Sequence, residues 1–119
     1  FTDGNVGIGT TSLTEKLAVN GTILAEEVKV QNVPSSDFVF EPGYKLKPLY
    51  EVDRFIKENR HLPDVPSARE FKENGVGLGE MDDMLLRKVE ELTLYVIQMR
   101  KEMDRMKAEN EMLKEKIGN

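Results

Sequence analysis

The chain of 119 residues has a net charge of −5, and its length accommodates one domain and a rod but not two independent hydrophobic cores. Acidic residues outnumber basic ones both in residues 1–79 and in residues 80–119, which argues against nucleic acid or an anionic membrane as a partner. The absence of cysteine excludes disulfides and thiolate sites, and no apolar run approaches the roughly 18 residues of a membrane-spanning helix or resembles a signal peptide.

The first 33 residues are predicted to be β structure. Apolar residues alternate with glycine in residues 6–9, and residues 16–19 lead into Asn20-Gly21, a strong turn signal. A long extended run is expected over residues 22–33. Glycine spacing also occurs in phosphate-binding loops, but the sequence lacks the Walker lysine, the dinucleotide spacing and a following helix. Because the chain begins with Phe1, we expect it to be the C-terminal piece of a longer protein.

Residues 34–79 are interpreted as a connector that carries two short helices. A short strand is expected over residues 38–40, followed by a turn at Pro42-Gly43. The first helix is predicted to start at Lys47-Pro48 and to run to about Asn59, because proline suits the first turn of a helix. Its apolar face consists of Leu49, Val52, Phe55 and Ile56.

The second short helix is predicted to follow an irregular stretch. Pro63 and Pro66 each bias the preceding residue towards an extended conformation, so the segment around them is not expected to be regular. Ser67 and Glu70 have the spacing of a capping box, and Asn74-Gly75 is a typical helix end. Neither short helix has a local partner for its apolar side.

Residues 80–119 are predicted to form one long coiled-coil helix that ends at Gly118. From Leu85 onward the spacings between apolar residues alternate between four and three, the 3.5-residue period of a left-handed coiled coil. Such a helix is about 57 Å long, so a chain of this size does not bury it and its apolar stripe is expected to meet copies of itself. We call this stripe the seam; its heptad a and d positions are Leu85, Val89, Leu92, Val96, Met99, Met103, Met106, Asn110, Leu113 and Ile117.

The charges beside the seam favour parallel helices. Glu102 and Glu109 at position g are each followed five residues later by a lysine at position e, Lys107 and Lys114, as in pairing between parallel strands. Asn110, a polar residue at position a, is the usual means of fixing register at some cost in stability. Valine at a with leucine at d favours two strands and the methionines specify little, so periodicity leaves dimer and trimer open.

A second apolar surface lies outside the seam. Within residues 92–99 the side chains of Leu94, Tyr95 and Ile97 are also apolar, and a free helix would expose them to solvent. We therefore expect the preceding part of the chain to fold back onto this side of the long helix, with both short helices packed there.

Two stretches carry longer motifs: VGIGT followed by KLAVNGTI in residues 6–23, and a run from DFVFEPGYKL to LTLYVI in residues 37–97. Together they resemble the C-terminal domain of bacterial surface proteins and phage tail fibres, in which the glycine motif forms trimeric, intertwined β structure ahead of a C-terminal tip. The chain is also similar, more distantly, to endosialidase-type intramolecular chaperones, whose helices pack on a central three-helix coiled coil. The resemblance implies a homotrimer.

Many of those chaperones cleave themselves with a serine–lysine pair in a Ser-Asp-x-x-x-Lys motif. This chain has Ser36-Asp37, but its next lysine, Lys45, comes too late for the motif. A lysine base must also be desolvated, which nothing near Lys45 in the sequence ensures. Ser35 or Ser36 is therefore expected to be an ordinary loop serine.

Candidate metal-binding residues are few. His61 is the single histidine, and without a second imidazole or a thiolate it is expected to have a turn or packing role. Glu80, Asp82 and Asp83 suggest a hard-cation site, but they more naturally favour the start of a helix through its dipole.

The sequence therefore predicts an α+β protomer: an intertwined β segment (1–33), a connector with two small helices (34–79) and a long parallel coiled-coil helix (80–119), assembled as a homotrimer. The expected function is a structural tip that trimerises and registers a fibre-like surface or phage tail protein, located outside the cell, at a cell surface or on a virion. No enzymatic activity, cofactor or metal is expected. The expected partners are copies of the chain and the upstream fibre shaft. A self-cleaving chaperone and a receptor-binding tip that engages a surface receptor are the alternatives.

Overall fold

The computed structural model describes residues 4–31 and 37–118. Its elements, in chain order, are strands β1 (Val6–Ile8) and β2 (Leu17–Val19), a 3-10 helix (Asp37–Phe40), and helices α1 (Leu49–Asn59), α2 (Ala68–Asn74) and α3 (Leu78–Ile117). The molecule is extended, with principal dimensions of 86 × 30 × 29 Å. The predicted mixture of α and β structure with one long C-terminal helix is confirmed.

Strands β1 and β2 pair in parallel and in continuous register. The chain leaves β1 at Gly9, whose φ of 72° lies in the left-handed region that favours glycine. Gly7 is needed for a different reason, because a Cβ at this position would collide with the carbonyl oxygen of Thr10 and the side chain of Leu13. The glycine spacing of this segment therefore allows close backbone approach in a small parallel unit.

The β structure ends earlier than the sequence predicts. Of the described residues 22–31, none lies in a strand, all are exposed, and Leu24 is 98% exposed. A strand needs a neighbour for its backbone hydrogen bonds, and the described part of one chain supplies none here. The predicted β structure over residues 22–33 is therefore not formed by residues 22–31 of a single chain, and pairing of this run between chains stays a prediction; residues 32 and 33 lie outside the described residues.

Residues 38–40 belong to a 3-10 helix and not to the predicted strand. The Glu41 N–H donates to the Phe38 carbonyl at 3.1 Å, so the helix runs directly into the predicted turn at Pro42-Gly43. The tight winding places Val39 against α3, where only 1% of it is exposed. A lone apolar triplet without a partner strand gains more from this burial than from an extended conformation.

The two short helices lie where their end signals predict. Helix α1 begins after Pro48 and ends at Asn59, and the next residue, Arg60, takes a left-handed conformation with φ 62°. Helix α2 opens with the predicted capping box: the Glu70 N–H donates to the Ser67 hydroxyl at 3.2 Å, and the Ser67 N–H donates to the Glu70 carboxylate at 3.2 Å. Gly75 ends α2 with φ 69°.

Helix α3 runs without interruption for 40 residues and begins two residues earlier than predicted. Ion pairs along its exposed part, such as Arg100 with Asp104 at 3.2 Å, support a helix that has few neighbours. Arg105 pairs within the helix with Glu102 and with Glu109, the two glutamates that the sequence assigns to pairing between chains. The interchain pairs stay a prediction, and they compete with these intrahelical ones.

Candidate functional site

The side chains of residues 83–96 divide α3 lengthwise into a covered side and an exposed side. Every residue at heptad positions b, c, f and g is buried or half-buried, and every residue at positions a, d and e is exposed. The pattern holds for two full heptads without exception. Because these positions form two opposite sides of an α-helix, one side is occupied within the chain and the described residues leave the other side exposed.

Residues 37–64, which we call the outer cover, occupy the covered side. The guanidinium of Arg87 at position f lies over the Phe38 ring, 5.4 Å from its centroid, and the Phe38 ring meets Tyr44 edge-on at 5.8 Å. Burial, and next the charge of Glu91, raise the pKa of the Tyr44 phenol. The 3-10 helix thus packs on α3 through both apolar and cation–π contacts.

The deepest contact of the outer cover is made by Tyr95. Its side chain is 9% exposed, and its hydroxyl donates to the carbonyl oxygen of Lys47 at 2.6 Å. Burial raises the pKa of this phenol as well. The prediction that the chain folds back onto the apolar surface of residues 92–99 is therefore confirmed at Tyr95. Leu94 is half-buried, but Ile97 is 43% exposed, so the prediction is wrong for Ile97 within one chain.

The two short helices contribute unequally to the outer side of α3. Side chains of α1 and α3 line a common cavity, and the backbones of the two helices do not approach each other closely. Among the described elements, α2 has no close backbone neighbour, so the prediction that both short helices pack on α3 is wrong for α2.

The cavity between α1 and α3 has a volume of about 260 Å³ and a mostly apolar lining. Helix α1 and the loop after it contribute one wall, and α3 contributes the other at positions c, d and g. We call it the α1–α3 cavity. Its lining residues are Lys47, Leu49, Val52, Ile56, Leu62, Pro63, Asp64, Lys88, Glu91, Leu92 and Tyr95.

The covered side also buries charge, which the sequence did not indicate. Asp83, Glu90 and Glu91 are 8%, 6% and 9% exposed. Arg87 bonds Asp83 at 3.4 Å, and Lys88 bonds Glu91 at 2.9 Å.

Glu90 is the member of this group whose carboxylate is incompletely hydrogen-bonded. Its Oε2 has no hydrogen-bond partner among the described residues. Burial, then the nearby charges of Asp37 and Asp83, raise the pKa of its carboxyl. In sequence these residues look like ordinary solvated helix charges, and no local pattern distinguishes them from the exposed charges of α3.

The seam lies on the exposed side along the whole helix. Its apolar members from Leu85 to Leu113 are between 55% and 63% exposed, Ile117 is 83% exposed, and Asn110 is exposed. Beyond residue 96 no described segment covers any side of α3. All ten predicted seam residues therefore lie along one unoccupied side.

Comparison of the chain with family models, curated proteins and solved structures found no match. Nor does any helix in the described part of the chain have the length and apolar character needed to cross a membrane.

The remaining predicted sites have ordinary surroundings. His61 meets the Phe55 ring edge-on at 5.3 Å, and its Nδ1 lies 2.9 Å from the Leu62 carbonyl oxygen, which is a packing arrangement. Across residues 4–31 and 37–118, no three acidic or histidine side chains gather in a way that would hold a metal ion. Glu80 and Asp82 are exposed in the first turns of α3.

Ser35 and Ser36 lie outside the described residues, so the structure places neither of them. Of the two lysines considered as a base, Lys45 is exposed, and the ammonium of Lys47 lies 5.8 Å from the centroid of the Phe55 ring. Lys45 is therefore not in the desolvated setting that a lysine base requires.

Proposed function

We propose that this chain is a homotrimeric, non-enzymatic tip that brings three copies of a fibre-like surface or tail protein into register, outside the cell or on a virion. The observation that carries the proposal is the division of α3 into a covered side at positions b, c, f and g and an exposed side at a, d and e. The covered side is the outward side of a coiled coil, and the exposed side is the one that faces the partner helices.

Energetics favour self-association of the seam. Fully burying one leucine, valine or methionine side chain contributes about 1.5–3 kcal/mol, and nine apolar residues of the seam are more than half exposed in the single chain. In contrast, an isolated helix in water draws little stability from its own backbone hydrogen bonds. Association therefore supplies the tertiary packing that the last twenty residues of α3 lack within one chain.

The small β unit also supports assembly, because it has too few strands to be stable without neighbouring chains. Two three-residue strands are marginal on their own, and Ile8 and Leu17 are 57% and 56% exposed. A coiled coil that holds three chains together raises the local concentration of their N-terminal segments. Pairing of these segments with one another and with an upstream shaft is then an intramolecular event.

Different observations support the number and the orientation of the chains. The number three comes from the resemblance to fibre tips, whereas valine at a with leucine at d favours two strands. Parallel orientation comes from the spacing of Glu102 and Glu109 to the lysines five residues later.

Disulfide trapping tests the parallel, in-register seam. The chain has no cysteine, so Asn110→Cys introduces a single thiol at an a position. In parallel, in-register helices the thiols of neighbouring chains lie close enough to bond, and mild oxidation links them. Glu111→Cys, one residue away on the outer side, is the matched control and should stay unlinked. Equal linkage of both variants, or none in Asn110→Cys, contradicts the proposal.

A further inference from the structure

We propose that the α1–α3 cavity is filled by a second copy of the chain: α1 of one protomer closes on the side chains at Leu86, Thr93 and Ile97 of the neighbouring α3. This inference rests on the proposed parallel coiled coil and adds a contact between protomers outside the seam.

The cavity lies beside the seam on a defined flank. From α3 it is lined by Lys88 and Tyr95 at position g, Glu91 at c and Leu92 at d. Leu92 belongs both to the cavity wall and to the seam, and it is 61% exposed. In a parallel coiled coil the g flank of each helix lies beside the e flank of the next helix. The neighbour's e flank therefore runs past this cavity.

The e flank carries uncharged side chains at the level of the cavity and basic side chains beyond it. Near it, position e holds Leu86 and Thr93, and Ile97 lies four residues after Thr93 on the same edge of the helix. Leu86 and Ile97 are 50% and 43% exposed, and their own outer cover does not reach them. Beyond this level, where no described segment flanks α3, position e is basic in three successive heptads: Arg100, Lys107 and Lys114.

The side chains of Thr93, Lys88 and Glu91 at this contact are already paired. The Thr93 hydroxyl donates to the Val89 carbonyl within the helix at 2.9 Å, so burying Thr93 against an apolar wall leaves no donor unpaired. On the cavity side, Lys88 is paired with Glu91 at 2.9 Å. An apolar cavity and an apolar, internally satisfied strip thus meet, which explains why the protomer leaves both open.

Cysteine pairs test this contact directly. Within one chain α1 lies on the g flank and Thr93 on the opposite e flank, so a short link between them must join two chains. The double variant Ile56→Cys/Thr93→Cys is treated with a short bifunctional maleimide. We expect the monomer band to be lost and covalent trimers to appear in denaturing gels, because every chain carries both thiols.

Two controls test whether the crosslink depends on the position of the second thiol along α3 and on the presence of both thiols. Ile56→Cys/Lys107→Cys keeps the same flank but moves the second thiol two heptads, about 21 Å, along the helix, and should give no interchain product. Each single variant should give none either. Light scattering on the untreated double variant separates the outcomes. An oligomer without crosslinks overturns the inference and leaves the coiled coil standing, and a link within one chain also overturns it. A monomer overturns both.

Discussion

Replacing Tyr95 with phenylalanine tests whether packing of the outer cover on α3 contributes to the stability of the fold. The change removes only a hydroxyl, which donates to the Lys47 carbonyl at 2.6 Å, and keeps the ring that fills the space beside α3. A hydrogen bond of this kind contributes about 0.5–1.5 kcal/mol. This hydrogen bond is only partly buried, so the loss should stay within that range and not approach that of an orphaned buried group.

Tyr50→Phe is the matched control for this variant. Tyr50 is the second residue of α1 and is 70% exposed, so the same chemical change there should leave stability unaltered. Urea unfolding followed by circular dichroism at one fixed protein concentration compares the two, since unfolding of an oligomer depends on concentration. If Tyr95→Phe unfolds at the same urea concentration as Tyr50→Phe, the fold-back of residues 37–64 onto α3 is wrong.

Three further variants probe other parts of the account. Burial and two neighbouring carboxylates raise the pKa of Glu90, so its contribution to stability is present below about pH 4.5 and is lost as pH rises through the folded pKa. Glu90→Gln should therefore melt at a higher temperature than the parent at pH 7, and the difference should vanish at pH 4. Gly7→Ala should lower hydrogen-exchange protection of the β unit, because its Cβ collides with the Thr10 carbonyl, and leave α3 unchanged. A longer version of the chain that includes upstream residues should stay intact by mass spectrometry, with Ser36→Ala making no difference.

For each of these predictions a specific result would contradict it. Glu91→Gln is the control for Glu90→Gln, because Glu91 is paired with Lys88 and should lose stability at pH 7. A Glu90→Gln variant that is no more stable than the parent at pH 7 would show that the ionised Glu90 carboxylate does not destabilise the fold. Unchanged exchange in Gly7→Ala would contradict the tight parallel unit. A clean new N-terminus at Ser35 or Ser36, abolished by alanine there, would make the chain a removable assembly factor.

The helices could be placed from sequence because their signals are local. Ser67 and Glu70 satisfy each other three residues apart, Gly75 and Gly118 follow the last helical turns, and the seam repeats without a break. Such signals depend on backbone geometry and not on distant contacts. The division of α3 into covered and exposed sides was also indicated by the extra apolar residues around Tyr95.

The missed features depend on distant contacts. Residues 38–40 are apolar enough for a strand, but the described part of the chain offers them no partner strand, and they wind into a 3-10 helix that buries Val39 on α3. The burial of Glu90 follows from where that helix lies, which no local pattern encodes. Ile97 remained exposed because the outer cover ends at the level of Tyr95.

We propose that the exposed side of α3 is an interface between copies of the chain, and the molar mass in solution decides whether it is. Multi-angle light scattering at micromolar concentration should give three times the chain mass of 13.6 kDa. Val89→Asp/Val96→Asp should give the single-chain mass, because both positions are exposed in one chain but buried in the oligomer. Lys101→Asp, on the outer side, should leave the trimer intact. A parent chain of 13.6 kDa would contradict the account, and twice that mass would contradict the trimer.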